Sequence, residues 1–69
     1  MYPNLRAEMA RKRIRIKDLA GCIGMSYSAT HKKITGVTDF TLDEIVKIKQ
    51  TLFPEHTIDY LFKKEERPA

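Results

Sequence analysis

Two short amphipathic segments, 16–23 and 27–35, are separated by only Gly24, Met25 and Ser26. So short a link leaves no room for a wandering loop. If both segments are helices, they must pack against each other at a sharp angle. A close crossing needs a small side chain, and Ala20 stands one turn before the glycine. The turn needs a left-handed backbone, which is cheap only for glycine, and Gly24 is in place for it. Leu19, Ile23 and Met25 supply apolar contacts. Ser26 offers an oxygen to the orphan amides of the second segment, as an N-cap does. The pattern predicts one rigid bihelical unit that ends at Gly36.

The rest of the chain reads as helices too. Leu5, Met9, Ala10 and Ile14 recur at helical spacing after Pro3-Asn4, which predicts a helix over 4–13. Thr41-Leu-Asp-Glu44 is a capping box, with Phe40 and Ile45 at the positions of a hydrophobic staple. It opens a fourth helix that runs to about Leu52, and Pro54 forbids much further extension. Thr57 can cap a last short helix carrying Ile58, Tyr60, Leu61 and Phe62. No stretch alternates with period two, and no repeat or low-complexity segment is visible. The expected fold class is all-α, a compact five-helix domain over 1–62. A charged, frayed tail is expected over 63–69.

Sixty-nine residues make one domain. A domain this small buries only about 60% of its unfolded surface, so its core must be tight. Cys22 is the only cysteine and forms no internal disulfide; with His31 and His56 it makes no plausible zinc set, and no metal or cofactor is expected. It is read as a small buried hydrophobe. No segment reaches the roughly 18 apolar residues of a membrane span, and the N-terminus has no signal-peptide core. The expected setting is a reducing cytoplasm.

Lys and Arg number 13 against 9 Asp and Glu. Their placement matters more. Arg11, Lys12, Arg13, Arg15 and Lys17 crowd one short stretch, and Lys32 and Lys33 add a second pair. The acids lie mostly later. Such asymmetry suits a polyanion, although a solvated cationic helix end gives the same pattern in Arg11–Arg13.

The stretch Ile16-Lys-Asp-Leu-Ala-Gly-Cys-Ile-Gly-Met-Ser-Tyr-Ser-Ala-Thr-His-Lys-Lys-Ile-Thr-Gly36 resembles the helix-turn-helix of the XRE family, the lambda-repressor-like and Cro-like regulators. Phe40-Thr-Leu-Asp-Glu44 and Ile58-Asp-Tyr-Leu-Phe62 are similar to the starts of that family's fourth and fifth helices. The resemblance covers residues 4–62. It implies a reader of double-stranded DNA whose second motif helix enters the major groove. Tyr27 and Ser28 fall on the family's first base-reading positions and Lys32 on a later one. His31 lies on the same stripe. Arg15, Lys17, Ser26 and Lys33 are the expected backbone contacts, aided by the positive N-terminus of the helix at Ile16. Such proteins bind as homodimers on half-sites roughly 34 Å apart. Tyr60 and Phe62 are the candidate dimer residues.

Three departures stand out. Arg15-Ile16 replaces the family's frequent threonine-glutamine pair. Thr30 and Lys33 stand where apolar residues usually face the core, and Ile34 can substitute for them by a small rotation of the helix. Asp39 sits in a loop that often carries basic residues, where phosphate would repel it.

The leading expectation is a sequence-specific transcription regulator, a Cro-like repressor of a phage or mobile element, since the chain has no room for a sensing domain. The alternatives are the antitoxin of a toxin–antitoxin pair, or an interaction module that has lost DNA binding. An enzyme is not expected: no carboxylate pair in a cleft-forming context, no glycine-rich phosphate loop and no cysteine–histidine arrangement with an orienting group is present, and five short helices leave little volume for a pocket. No small-molecule ligand and no membrane partner is expected.

Overall fold

Pro3 begins the first helix with its φ already set and no amide to lose. The structure, a computed structural model, describes residues 2–64. It contains α1 (Pro3–Lys12), α2 (Ile16–Ile23), α3 (Tyr27–Ile34), α4 (Leu42–Leu52) and α5 (Ile58–Leu61). The all-α expectation is met, and the boundaries agree with the sequence reading to within about a residue. Of the expected tail, 65–69 lie outside the described residues. Among the described residues no helix is long and apolar enough to cross a membrane.

Each helix stops for a local reason. Gly24 closes α2 at φ 69°, its amide returning to the Ala20 carbonyl. Ser26 caps α3, its Oγ accepting from the Ala29 amide at 3.1 Å. Thr41 and Glu44 close the capping box of α4: the Glu44 amide donates to Thr41 Oγ1, and the Thr41 amide donates to Glu44 Oε1 at 2.8 Å. Thr57 caps α5 through the Tyr60 amide. The end of α1 is unlike the others. Arg13 takes the left-handed conformation at φ 56°, ψ 36°. The Arg13 amide donates to the Ala10 carbonyl, and the Ile14 amide donates to the Met9 carbonyl at 2.8 Å. These are the two bonds of a Schellman closure, made here with an arginine where glycine is cheaper.

The core is a cluster of Leu5, Met9, Leu19, Ile34, Ile48, Phe53 and Leu61, drawn from all five helices and the residue that ends α4. Beside it Tyr2, Phe40 and Phe62 form a three-ring cluster with centroids 5.4–5.7 Å apart. Tilted and edge-on contacts of this kind suit the ring quadrupoles. They join the start of α1, the loop before α4 and the end of α5. Phe62 is thereby half-buried in its own protomer, which redirects the dimer expectation for this residue toward internal packing. Tyr60 is 37% exposed. Cys22 is half-buried between α2 and α4, its thiol 3.8 Å from the Lys47 carbonyl.

One buried acid escapes the sequence reading. Glu8 is 3% exposed. Tyr60 donates its hydroxyl to Glu8 Oε2 at 2.7 Å, Arg11 donates to the same oxygen, and His56 Nε2 lies 3.1 Å from Oε1. This bolt fixes α5 to α1. Glu8 follows Leu5 by three residues and precedes Met9, so it stands on the inner stripe. An acid inside an apolar stripe was the available signal.

Two outcomes follow for stability. Arg13→Gly should raise it by about 0.5–1 kcal/mol, because the roughly 1–2 kcal/mol left-handed penalty outweighs the entropy glycine adds to the unfolded chain. A urea midpoint that falls instead would contradict the Schellman assignment. Phe62→Ala should destabilise the protomer by about 2–3 kcal/mol through loss of ring packing. The same denaturation series, read at two protein concentrations, separates this from loss of a dimer contact.

Candidate nucleic-acid interface

α3 is an eight-residue helix, roughly 12 Å long at 1.5 Å per residue. Its two faces differ sharply. Thr30 and Ile34 are sealed in the interior, and Lys33 is 9% exposed. Tyr27, Ser28, His31 and Lys32 are all exposed. The four expected base-reading residues therefore share one outward stripe. Tyr27 is 58% exposed and stacks on His31 with ring centroids 6.2 Å apart. Thr35, at the end of the stripe, turns its hydroxyl back to the His31 and Lys32 carbonyls.

The inner face carries polar residues, and each has a partner. Thr30 donates its hydroxyl to the Ser26 carbonyl at 2.8 Å, a bond within its own helix turn. Lys33 donates to Glu44 Oε1 at 2.8 Å and to the Asp39 carbonyl at 3.0 Å, with its ammonium 5.9 Å from the centre of the Phe40 ring. Thr30, Lys33 and Ile34 face inward together, with Ile34 the apolar member of the three. Lys33, expected among the backbone contacts, is therefore turned toward the interior. Its ammonium is held inward, and its role is to fix α3 against the start of α4.

Asp39 is also answered internally. Its Oδ1 lies 2.7 Å from Lys64 Nζ. The hydrogen bond from Lys64 and the Lys64 charge hold the Asp39 carboxyl below its usual value. The loop acid thus stands beside a cation.

Arg15 and Lys17 are exposed at the start of α2. The Arg15 amide donates to Asp18 Oδ2 at 2.8 Å, so an acid takes part of the positive end of α2 that a phosphate would seek. Ser26 is exposed and keeps its hydroxyl proton while its oxygen accepts from Ala29. Along α3 lie two hollows. One, about 430 Å³, is lined by Ser26, Ser28 and Lys32 among others. The other is an open groove of about 580 Å³, floored by Met9, Ala10, Ile14, Ile16 and Ile34 and edged by Arg6, Arg15, Lys17 and Tyr27. It is larger than the little volume that five short helices were expected to leave, and it is open to solvent. With hollows beside it, the outer face of α3 stands as a ridge. The major groove, roughly 12 Å wide, admits a ridge of this size.

Cations are partly committed elsewhere. Arg11 pairs with Glu8, Lys12 with Glu55, Lys33 with Glu44 and Lys64 with Asp39. Arg15, Lys17 and Lys32 enter no ion pair among the described residues.

A family model described as the Cro/C1-type HTH DNA-binding domain matches residues 4–53. Comparison with curated proteins and with solved structures gives no match.

The acids behind this surface give it a pH dependence. Burial alone would raise the Glu44 carboxyl, but hydrogen bonds from Lys33 and the Thr41 amide, with the Lys33 charge, hold it below 4.5. Glu8 is held below 4.5 first by the Tyr60 hydroxyl, against burial, and then by Arg11 and His56. A folded value below the unfolded one means that the stability is present above about pH 4.5 and is lost as pH falls through the folded values. Melting temperature should therefore fall steeply in acid. Glu44→Gln should cost about 1–2 kcal/mol at neutral pH and flatten that fall. An unchanged acid slope would contradict the assignment.

Proposed function

The chain belongs to the Cro/C1-type helix-turn-helix DNA-binding domain family, and on that premise we propose that this regulator reads a specific duplex sequence with α3. The observation that carries the reading is the joint outward display of Tyr27, Ser28, His31 and Lys32 on a helix whose opposite face is locked. In this reading Lys32 donates to guanine O6 or N7. Ser28 donates or accepts at a base edge, and Tyr27 reaches a thymine methyl or a phosphate. His31 is held beside it by ring stacking. Arg15, Lys17 and Ser26 contact the phosphate backbone. Lys33 positions α3 and touches no nucleic acid.

The described residues measure 34 × 27 × 22 Å, a size compatible with half-sites one helical turn, roughly 34 Å, apart. The proposed form on DNA is a homodimer, with Tyr60 the exposed aromatic for a contact between copies. The proposed action is repression by occupancy, in the manner of a phage or mobile-element repressor. Support comes also from Thr30, Lys33 and Asp39, each of which has a partner within the protomer.

Selection from a random duplex pool at two salt concentrations tests the reading. A palindromic site with steep salt dependence is the expected result. Salt-insensitive recovery without enrichment contradicts it. On the selected site, Lys32→Ala should cost about 1–3 kcal/mol and relax preference at one position. Arg15→Ala should weaken all sequences alike and reduce the salt slope by about one. The reverse pattern would show that the stripe is wrongly assigned.

A further inference from the structure

DNA does not account for the groove beside Tyr27. Its edge of Arg6, Arg15 and Lys17 suits phosphate, but its floor is hydrocarbon: Met9, Ile14, Ile16 and Ile34. A sugar–phosphate backbone carries no long apolar group to fill such a floor. The groove's volume, about 580 Å³, lies within the range of small-molecule sites. Three cations line it and no acid does. That combination selects a ligand with one anionic end and one apolar body. A neutral hydrocarbon would leave the cations unused. An inorganic anion would leave the floor wet.

We propose that this groove, between α1, the start of α2 and the length of α3 from Tyr27 to Ile34, binds a small amphipathic anion, a carboxylate carried on an alkyl body. The head lies among Arg6, Arg15 and Lys17, and the body lies on Ile14 and Ile16. Tyr27 edges the same groove and Arg15 and Lys17 are the proposed phosphate contacts. An occupied groove therefore screens those cations and crowds Tyr27, and ligand and duplex exclude each other. This second half rests on the proposed DNA reading. The first half does not.

Octanoate and its neutral counterpart 1-octanol are the probes. The full chain, labelled with nitrogen-15, is titrated with each and followed by amide chemical shifts, without DNA. Octanoate should give saturable shifts confined to residues 6–17 and 27–34. Octanol should bind at least fivefold more weakly. Ala10→Phe, which fills the groove from an exposed helical position, should abolish the shifts while retaining helical circular dichroism. Arg6→Ala should weaken octanoate about threefold. Shifts that never saturate, spread over the surface, match those of octanol or survive Ala10→Phe would overturn the site. In a second arm, octanoate at saturation should weaken binding to the selected duplex at least fivefold, and octanol should not. Localised binding with unchanged duplex affinity overturns the exclusion while leaving the site. A chain that binds no duplex refutes the DNA reading and the exclusion with it, and the amide shifts still decide the groove.

Discussion

The ion pair between Lys33 and Glu44 sets the attitude of the exposed helix. Glu44 Oε1 accepts from both the Thr41 amide and Lys33 Nζ. One oxygen therefore closes the cap of α4 and holds the last turn of α3. Lys33 also ties down the loop between them through the Asp39 carbonyl. The side chains of the pair are 11% and 16% exposed, so solvent screens them far less than an ordinary surface pair. With Lys33 drawn inward, the helical period places Tyr27, Ser28, His31 and Lys32 outward. The outward stripe is thus a consequence of an inward contact.

The same logic recurs through the fold. A chain of this size has few apolar residues to spend on sealing its helices together, and buried polar groups do part of that work. Glu8 joins α1 to α5 through Tyr60, and Lys12 reaches from α1 to the Leu52 carbonyl and Glu55. Among the described residues every buried side-chain nitrogen or oxygen has a hydrogen-bond partner. Completeness matters because a half-satisfied buried group costs more than an apolar replacement. These pairs also sort the cations. Arg11, Lys12, Lys33 and Lys64 are paired with acids and serve the fold, and Arg15, Lys17 and Lys32 are among the cations that enter no ion pair within the described residues.

Local chemistry made the helices legible. Gly24, Ser26, Thr41 with Glu44, and Thr57 each act within a few residues, and each does in three dimensions what its position implies. Arg13 was harder: nothing in its side chain announces a left-handed backbone, and only the Ile14 contact downstream requires it. Lys33, a lysine on a basic helix, reads as solvent-facing in the sequence because its partner lies 11 residues away. Glu8 and Tyr60 are 52 residues apart, a separation beyond any periodicity argument. The groove was invisible for the same reason, being assembled from α1, α2 and α3 at once. The outward stripe of α3 was legible as spacing, but its anchorage was not.

In the proposed reading the outer face of α3 enters the major groove. Methylation interference on the selected duplex tests this most directly, because dimethyl sulfate marks guanine N7 in the major groove and adenine N3 in the minor groove. N7 methylation at a few guanines in each half-site should block binding, and Lys32→Ala should erase the effect at one of them. Interference confined to adenine N3, with guanine N7 tolerated throughout, would place the protein in the other groove and contradict the account.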